Sequence, residues 1–518
     1  LCRTQDTNNR NKTNNDMKNM ISIFSILLAA SLNACSSSEA LIEDLVEPFP
    51  TGVPAKGTAV TFTTTADGYN RLYEGRADVH AGKSLAPSTI QLDLNKRYQT
   101  IDGFGYAITY STCYNLLKMS PEARADLLKR TYSKTEGYGV SYARISIGCN
   151  DFSSTEYTLC DKEGLENFRL YTDETEYVIP ILKDILAINP DLKIIAAPWT
   201  CPKWMKVDNL RNMRPHNSWV DGHLNPKYYD TYAQYFVKFV ETMKAQGINI
   251  FAVSPQNEPL NHANCASTYM PWQEEAPLVK SMAAAFKKAG LATQIYVFDH
   301  NFNYENNPDQ EDYPVKIYNA LGNNYEGSEL VVGAAYHDYG GSNSELTDIF
   351  NKAPEKSLIF SESSIGVWNN GRVLSTRLLA DMHNVALGTV NQQCKAVLVW
   401  NLMLDTNMGP NLAGGCQTCY GAIDIDPANY KTYTKNSHYY IIAHMSSAAE
   451  PGAVRVGTSR SIESSKLTTA TFVNPDGSYG AVLVNNDEVS LSVNLSDGDS
   501  YCRVTVPAQG VTSVKWKK

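Results

Sequence analysis

The chain has 518 residues, 43% of them hydrophobic and 19% charged, and a formal net charge of −9. That composition fits a globular protein with one large domain and a smaller one. It excludes a nucleic-acid partner, because phosphate binding needs clustered Lys and Arg that this acidic chain does not offer. The 31 Tyr and 7 Trp suit a protein that stacks rings on sugars, although most tyrosines simply cover surface.

Residues 1–40 read as an upstream segment, a signal peptide and the start of a tether rather than as fold. Leu1 to Asp16 is polar and Asn-rich, and the expected start is Met17 or Met20. Lys18, the apolar run Ile21 to Ala30 and Leu32-Asn33-Ala34-Cys35 then form a secretory signal too short to span a membrane. The Leu-x-Ala-Cys ending resembles a bacterial lipobox, which makes Cys35 the expected lipidated residue; ordinary signal cleavage nearby is the alternative. The expected product is exported, as an outer-membrane or cell-surface lipoprotein or a periplasmic protein. Acidic residues Glu43, Asp44 and Glu47 fall in residues 41–57, read as a linker.

Of eleven cysteines, setting aside Cys2 and Cys35 leaves nine, an odd number that cannot all pair. Cys416 with Cys419, or Cys149 with Cys160, are local disulfide candidates. Most of the others are expected to be buried free thiols.

Apolar and polar residues alternate from Thr58 to Leu94 (Val60, Phe62, Ile90, Leu92), the period of strands. From Gln99 short apolar strands alternate with amphipathic helices. Strands are expected at Ile101–Ala107, Tyr142–Ile147, Ile194–Trp199, Ile250–Val253, Ile295–Phe298, Val331–Tyr336, Leu358–Phe360 and Val397–Leu402. Helices are expected at Pro121–Tyr132, Tyr229–Gln246, Glu275–Ala289 and Val373–Leu387, so the count is that of an α/β (β/α)8 TIM barrel. After Tyr430 the pattern returns to strands separated by turns such as Asn474-Pro475-Asp476-Gly477. The expected organisation is a catalytic barrel over residues 98–430 and an all-β sandwich domain built from both chain ends, 58–97 and 431–518.

Two strand ends carry carboxylates. Glu258 follows the apolar run Ile248 to Val253 and precedes Pro259, and Glu362 closes Ser357 to Phe360 in Ser361-Glu362-Ser363. On the strand count these are strands four and seven, whose ends face each other across the mouth of a barrel, where such enzymes place their chemistry. A carboxylic acid and a carboxylate about 5 to 5.5 Å apart are what a retaining glycosidase needs. One lone glutamate at a strand end would be read as a surface residue. Two, each in a dense polar and aromatic setting, read as a catalytic pair. His300, His337 and Tyr336 are candidate hydrogen-bonding neighbours; a zinc site built from them lacks ligand spacing, and no metal or cofactor is expected.

The segments Ile101-Asp102-Gly103-Phe104-Gly105, Tyr142-Ala143-Arg144, Cys149-Asn150-Asp151-Phe152, Ala197-Pro198-Trp199-Thr200, Asn257-Glu258-Pro259, Phe298-Asp299-His300-Asn301, Tyr336-His337, Phe360-Ser361-Glu362 and Trp400-Asn401-Leu402 resemble glycoside hydrolase family 30, which holds glucosylceramidase-like and endo-β-1,6-glucanase-like enzymes. The resemblance implies Glu258 as acid/base and Glu362 as nucleophile. It implies Asn257 on the sugar's 2-hydroxyl and Arg144 holding the nucleophile and depressing its pKa. Asp151, Trp199 and Trp400 would line the same subsite. The activity implied is that of a retaining endo-β-1,6-glucanase on a β-glucan, lipid-anchored and monomeric. A glucosylceramidase, another exo-β-glycosidase or a xylanase of the same family are alternatives, and a non-catalytic glycan-binding lipoprotein is a remote one. The long segments Asp151 to Glu176 and Lys203 to Pro226 are expected at the mouth, where Phe152, Tyr157, Trp204, His216 and Trp219 would offer further sugar surface.

Overall fold

The structure, a computed structural model, describes residues 55–463 and 465–517. The signal, lipidation and tether readings, with Cys2, Cys35 and nearly all of the 41–57 linker, lie outside the described residues. Eight parallel strands close into a barrel in chain order: Gly103–Ala107, Tyr142–Ser146, Lys193–Ala197, Ala252–Val253, Gln294–Asn301, Val331–His337, Ser357–Glu362 and Cys394–Asn401, the last pairing with the first. Because side chains alternate along each strand, one set fills the barrel and the other packs outward under the helices. Tyr142, Ile195, Ala252, Tyr296, Ala335, Ile359, Ala396 and Leu398 make the inner core. The outer core is larger and continuous.

The helices follow from the same periodicity. Pro121–Tyr132 starts on Ser120, whose hydroxyl accepts from the Ala123 N–H, with Pro in the first turn where a missing donor costs nothing. Trp272–Lys288 keeps Pro277 inside it and buries Glu275 against the barrel.

Two expectations about boundaries fail. The fourth strand is only Ala252–Val253, so Glu258 is not its last residue. Pro255 and Pro259 bracket a turn in which Glu258 adopts φ 47, held by its N–H on the Asp299 carbonyl at 3.0 Å. The expected all-β span 431–518 opens with a strand, Tyr433–Lys435, that pairs beside the barrel mouth, and then with a helix, Ser437–Ala448. That helix is buried on nearly every side, so it lacks the one-sided apolar stripe that marks a helix in sequence.

Nine strands form the second sheet: Ala55–Thr65, Tyr73–Ala81, Thr89–Thr100, Val454–Arg460, Leu467–Val473, Tyr479–Asn485, Leu491–Ser496, Ser500–Val506 and Gly510–Trp516. It closes on itself around a separate core that includes Val79, Ile90, Leu483, Val493 and Trp516. The Ser437–Ala448 helix joins the two bodies. His444 bridges Thr64 Oγ1 at 2.8 Å and Ser513 Oγ at 3.1 Å. Ile101 N–H donates to Ala453 O at 2.7 Å, and Phe472, Val482 and Val511 of the sheet pack in the barrel's outer core. Among the described residues no helix is long and apolar enough to cross a membrane.

Candidate active site

At the C-terminal mouth of the barrel a cavity of about 470 Å³ is lined by residues that include Asp151, Trp199, Asn257, Glu258, Tyr339, Glu362, Trp368 and Trp400. Glu362 is the last residue of the seventh strand, as expected. One carboxylate oxygen of Glu258, one of Glu362 and a ring nitrogen of His337 lie within 4.8 Å of one another. That separation leaves no room for a water between the acids and suits direct attack by one of them on an anomeric carbon.

Arg144, fully buried on the second strand, organises the floor. Its guanidinium donates to Glu362 Oε2, to Asn257 Oδ1 at 2.7 Å and to Asp299 Oδ2 at 2.9 Å. Trp199 and Trp400, tilted against each other with ring centroids 5.3 Å apart, lie 5.1 and 5.6 Å from the same cation. His337 sits between three acids, with Nδ1 3.2 Å from Glu258 Oε1 and Nε2 3.1 Å from Asp299 Oδ1.

Arg144 depresses Glu362 as expected, but burial outweighs it. Burial raises the Glu362 carboxyl; His337 and Arg144 oppose it, Glu258 adds to it, and the balance stays above the ordinary value. Burial also acts on Glu258, but the hydrogen bond from His337, the two nearby imidazoles and the Asn261 amide pull it down to about 2. Burial would lower His337, yet Glu362, Asp299 and Glu258 together push it up to about 9. Glu258 and His337 therefore hold one proton between them across the neutral range, resting on the imidazole next to Glu258 Oε1. Asp151 is pushed up to about 7 by burial and by the nearby Glu362. The Glu258, His337 and Glu362 atoms are close enough to ligate a metal. A metal there would have to displace the His337 proton and compete with the Arg144 cation on Glu362.

Of the residues expected from sequence, Glu258, Glu362, Asn257, Asp151, Trp199 and Trp400 line the cavity. Arg144 and His337 lie beneath it. His300 packs behind Glu258, its Nδ1 accepting the Leu260 N–H at 3.4 Å. Tyr336 does not belong to the site. It points out of the barrel, stacks on Phe302 and pairs its hydroxyl with Tyr304 at 3.1 Å, because in a strand it alternates with the inward His337. None of the five ring-bearing side chains expected at the mouth lines the cavity. Phe152 and Tyr157 are buried, the Trp204 indole donates to Cys160 O at 2.8 Å, His216 bonds Asp208 and Val220 O, and Trp219 packs under Lys203.

Sequence reasoning missed Asp299, Tyr339, Asn261 and Trp368. Asp299 accepts from Arg144, His337 and Ser361 Oγ, and is turned inward by φ values of 73 at Phe298 and 68 at Asp299, which no local sequence signal announces. Tyr339 O–H donates to Glu362 Oε1 at 2.9 Å, and Asn261 Nδ2 donates to Glu258 Oε2 at 2.8 Å. Tyr339 follows His337 by two residues and Trp368 follows Glu362 by six, so position after a strand end was the available signal. Cys416 and Cys419 form a disulfide on the cavity wall. Cys149 and Cys160 remain free and buried.

The chain is similar to several known proteins. A solved endo-beta1,6-glucanase is 53% identical and superposes with a TM-score of 0.87, covering 89% of this chain and all of the other. The endo-1,6-beta-D-glucanase of Trichoderma harzianum is 28% identical over 94% of this chain and 98% of its own. The lysosomal acid glucosylceramidase of Mus musculus is 24% identical over 90% and 91%. Residues 101–448 match the glycosyl hydrolase family 30 TIM-barrel domain and residues 452–514 the family's beta sandwich domain. The chain belongs to glycosyl hydrolase family 30 and is a glycoside hydrolase.

Proposed function

We propose that the enzyme cleaves β-1,6-glucan within the chain, with retention, by double displacement. The observation that carries this is the Glu258–Glu362 pair, with oxygens within 4.8 Å and His337 Nδ1 3.2 Å from Glu258 Oε1. In the first step Glu362 Oε attacks the anomeric carbon, the bond to the leaving 6-oxygen breaks, and Glu258 delivers to that oxygen the proton held with His337. In the second, Glu258 takes a proton from water as the water attacks the same carbon, and the Glu362 carboxylate leaves. Once esterified, Glu362 no longer stabilises the imidazolium, so the Glu258–His337 pair gives up its proton to the leaving oxygen and stands deprotonated as the base for the second step.

In this reading Asn257 binds the 2-hydroxyl, its amide oxygen fixed on Arg144. Arg144 and Tyr339 share the two oxygens of the nucleophile and aim it. Asp151 grips hydroxyls remote from the anomeric carbon, and Trp199 and Trp400 pack on the sugar's C–H faces. The linkage is supported by the two endo-1,6-glucanase relatives.

A panel of β-1,6-, β-1,3- and β-1,4-glucans and xylan with product sizing over time tests it. Mixed-length oligosaccharides should appear early from the β-1,6 polymer. Glucose alone from the start would mean exo action, and activity only on xylan would overturn the linkage. We further propose that the enzyme works as a surface monomer lipidated at Cys35, on the strength of the apolar run and the Leu-x-Ala-Cys ending. Loss of membrane fractionation and of fatty-acid labelling in Cys35→Ala is the expected outcome; unchanged labelling would refute it.

A further inference from the structure

Trp368 is 53% exposed, although it lines the cavity. It stands on the short hairpin after the nucleophile's strand, and its support is specific. Ile365–Gly366 pairs antiparallel with Cys419–Tyr420, and Val367 N–H donates to Thr418 O at 3.0 Å. The indole lies on Gly366, where a methyl group would overlap both the ring and the Thr418 carbonyl. Glycine is therefore needed here for space, so that the ring can lie against the hairpin backbone. Beyond the hairpin, Arg372 stacks on the Tyr420 ring at 3.9 Å and pairs with Asp424 at 2.7 Å, which anchors the strand that supports the tryptophan.

The same loop runs directly to Asp151. The Cys416–Cys419 disulfide closes its turn. Cys416 N–H points at Asp151 Oδ2 at 3.4 Å, Leu412 N–H donates to Asp151 O at 2.9 Å, and a methyl group on Gly415 would run into the Asp151 backbone and Cβ. Asp151, the disulfide and Trp368 thus form one continuous wall from the pocket floor to its rim.

The geometry points to this wall as the subsite for a second glucosyl unit, the one joined to the cleaved sugar on its non-reducing side. The assignment rests on the proposed reading in which Asp151 holds the hydroxyls remote from the anomeric carbon. In a β-1,6-linked chain the next unit toward the non-reducing end hangs from the 6-oxygen, on that remote edge. The linkage passes through an exocyclic methylene with free rotation. A flexible chain of this kind needs a flat surface to order its next ring, and an exposed indole, with its electron-rich face toward sugar C–H groups, supplies one. Trp368 is then a specificity-determining residue that tells a β-1,6 chain from a single terminal glucose.

The test compares β-glucosyl fluoride with its 6-O-β-glucosyl derivative, two donors that share a leaving group and differ only in the second sugar. The wild-type enzyme should use the disaccharide donor with kcat/KM at least tenfold higher. Trp368→Ala should bring that ratio close to one, chiefly through loss of kcat/KM on the disaccharide donor, and Trp368→Phe should keep most of the preference. Unchanged melting temperatures would show both variants folded. A preference that survives Trp368→Ala, or a wild-type enzyme that cleaves β-1,6-glucan but shows no preference between the donors, overturns the subsite and leaves the proposed activity standing. A wild-type enzyme that cleaves neither the fluorides nor the glucan overturns both.

Discussion

Glu275→Gln should stabilise the protein, and more so the higher the pH. Glu275 is fully buried, accepts the Phe298 N–H at 2.9 Å and the Tyr313 O–H at 2.8 Å, and meets no cation. Burial pushes its carboxyl up to about 8, from an ordinary value of 4.5. The unfolded chain releases this proton near its ordinary value while the folded chain keeps it, so stability falls as pH rises from the one value to the other. At about 1.36 kcal/mol per pH unit, the penalty is about 2 kcal/mol at pH 6 and about 5 kcal/mol at pH 8. Glutamine carries no such penalty and fits the site. Its oxygen can accept from Phe298, and its amide can donate to the Tyr313 oxygen while that hydroxyl turns to the Met270 carbonyl, already 2.5 Å away. With roughly 2.1 cal/mol/K per residue of unfolding entropy, a protein of this size gains about 1 °C per kcal/mol. Melting curves of parent and variant at pH 4.5, 6 and 8 should separate by about 0, 2 and 5 °C. If the two curves moved in parallel over that range, Glu275 would be ionised in the fold and the reasoning refuted.

Two further outcomes are expected. Glu258→Gln should lower turnover roughly 100- to 10,000-fold and Glu362→Gln on the order of a million-fold. Both should keep the fold, and azide should capture the glycosyl intermediate of Glu258→Ala as a β-glycosyl azide; near-normal activity in either Gln variant would end the assignment. Truncation after Tyr430 should unfold the barrel as well as the sheet, since Tyr439, Ile441, Ile442 and Met445 belong to the barrel's own core. A soluble truncation with native circular dichroism would contradict this.

What could be read from the sequence was whatever depends on period and position. All eight barrel strands announce themselves as apolar runs, because both faces of a parallel sheet are buried. The fourth, Ala252–Val253, ends where expected but begins two residues later than its apolar run suggests. Glu258 and Glu362 could be placed because strand ends converge at the mouth, and Asn257 and Arg144 through the family resemblance of the segments that hold them. Asp299 could not, since it faces inward through two left-handed residues, Phe298 and Asp299, the first tied by its N–H to Glu275. Tyr336 was assigned to the wrong face because adjacency to His337 was read as shared location, whereas in a strand it means the opposite. The mouth aromatics show the limit of composition: Trp204 and Tyr157 had buried partners that no spacing reveals, while Trp368 was overlooked on a short loop.

The closed nine-strand sheet has a consequence for how the polypeptide is made. Thr63 meets Thr512 across 449 positions of sequence, so the strand Ala55–Thr65 is synthesised long before its neighbour Gly510–Trp516. At about 5 to 20 residues per second, that interval is on the order of 20 to 90 seconds. Throughout it the leading strands present unpaired edges, a hazard for association with other nascent chains. The residues that wait are Thr61, Phe62, Thr63, Thr64 and Thr65, four hydroxyl side chains around one aromatic. A β-forming but weakly apolar segment of this kind can remain solvated until its partner arrives, at the cost of slow assembly through contacts distant in sequence.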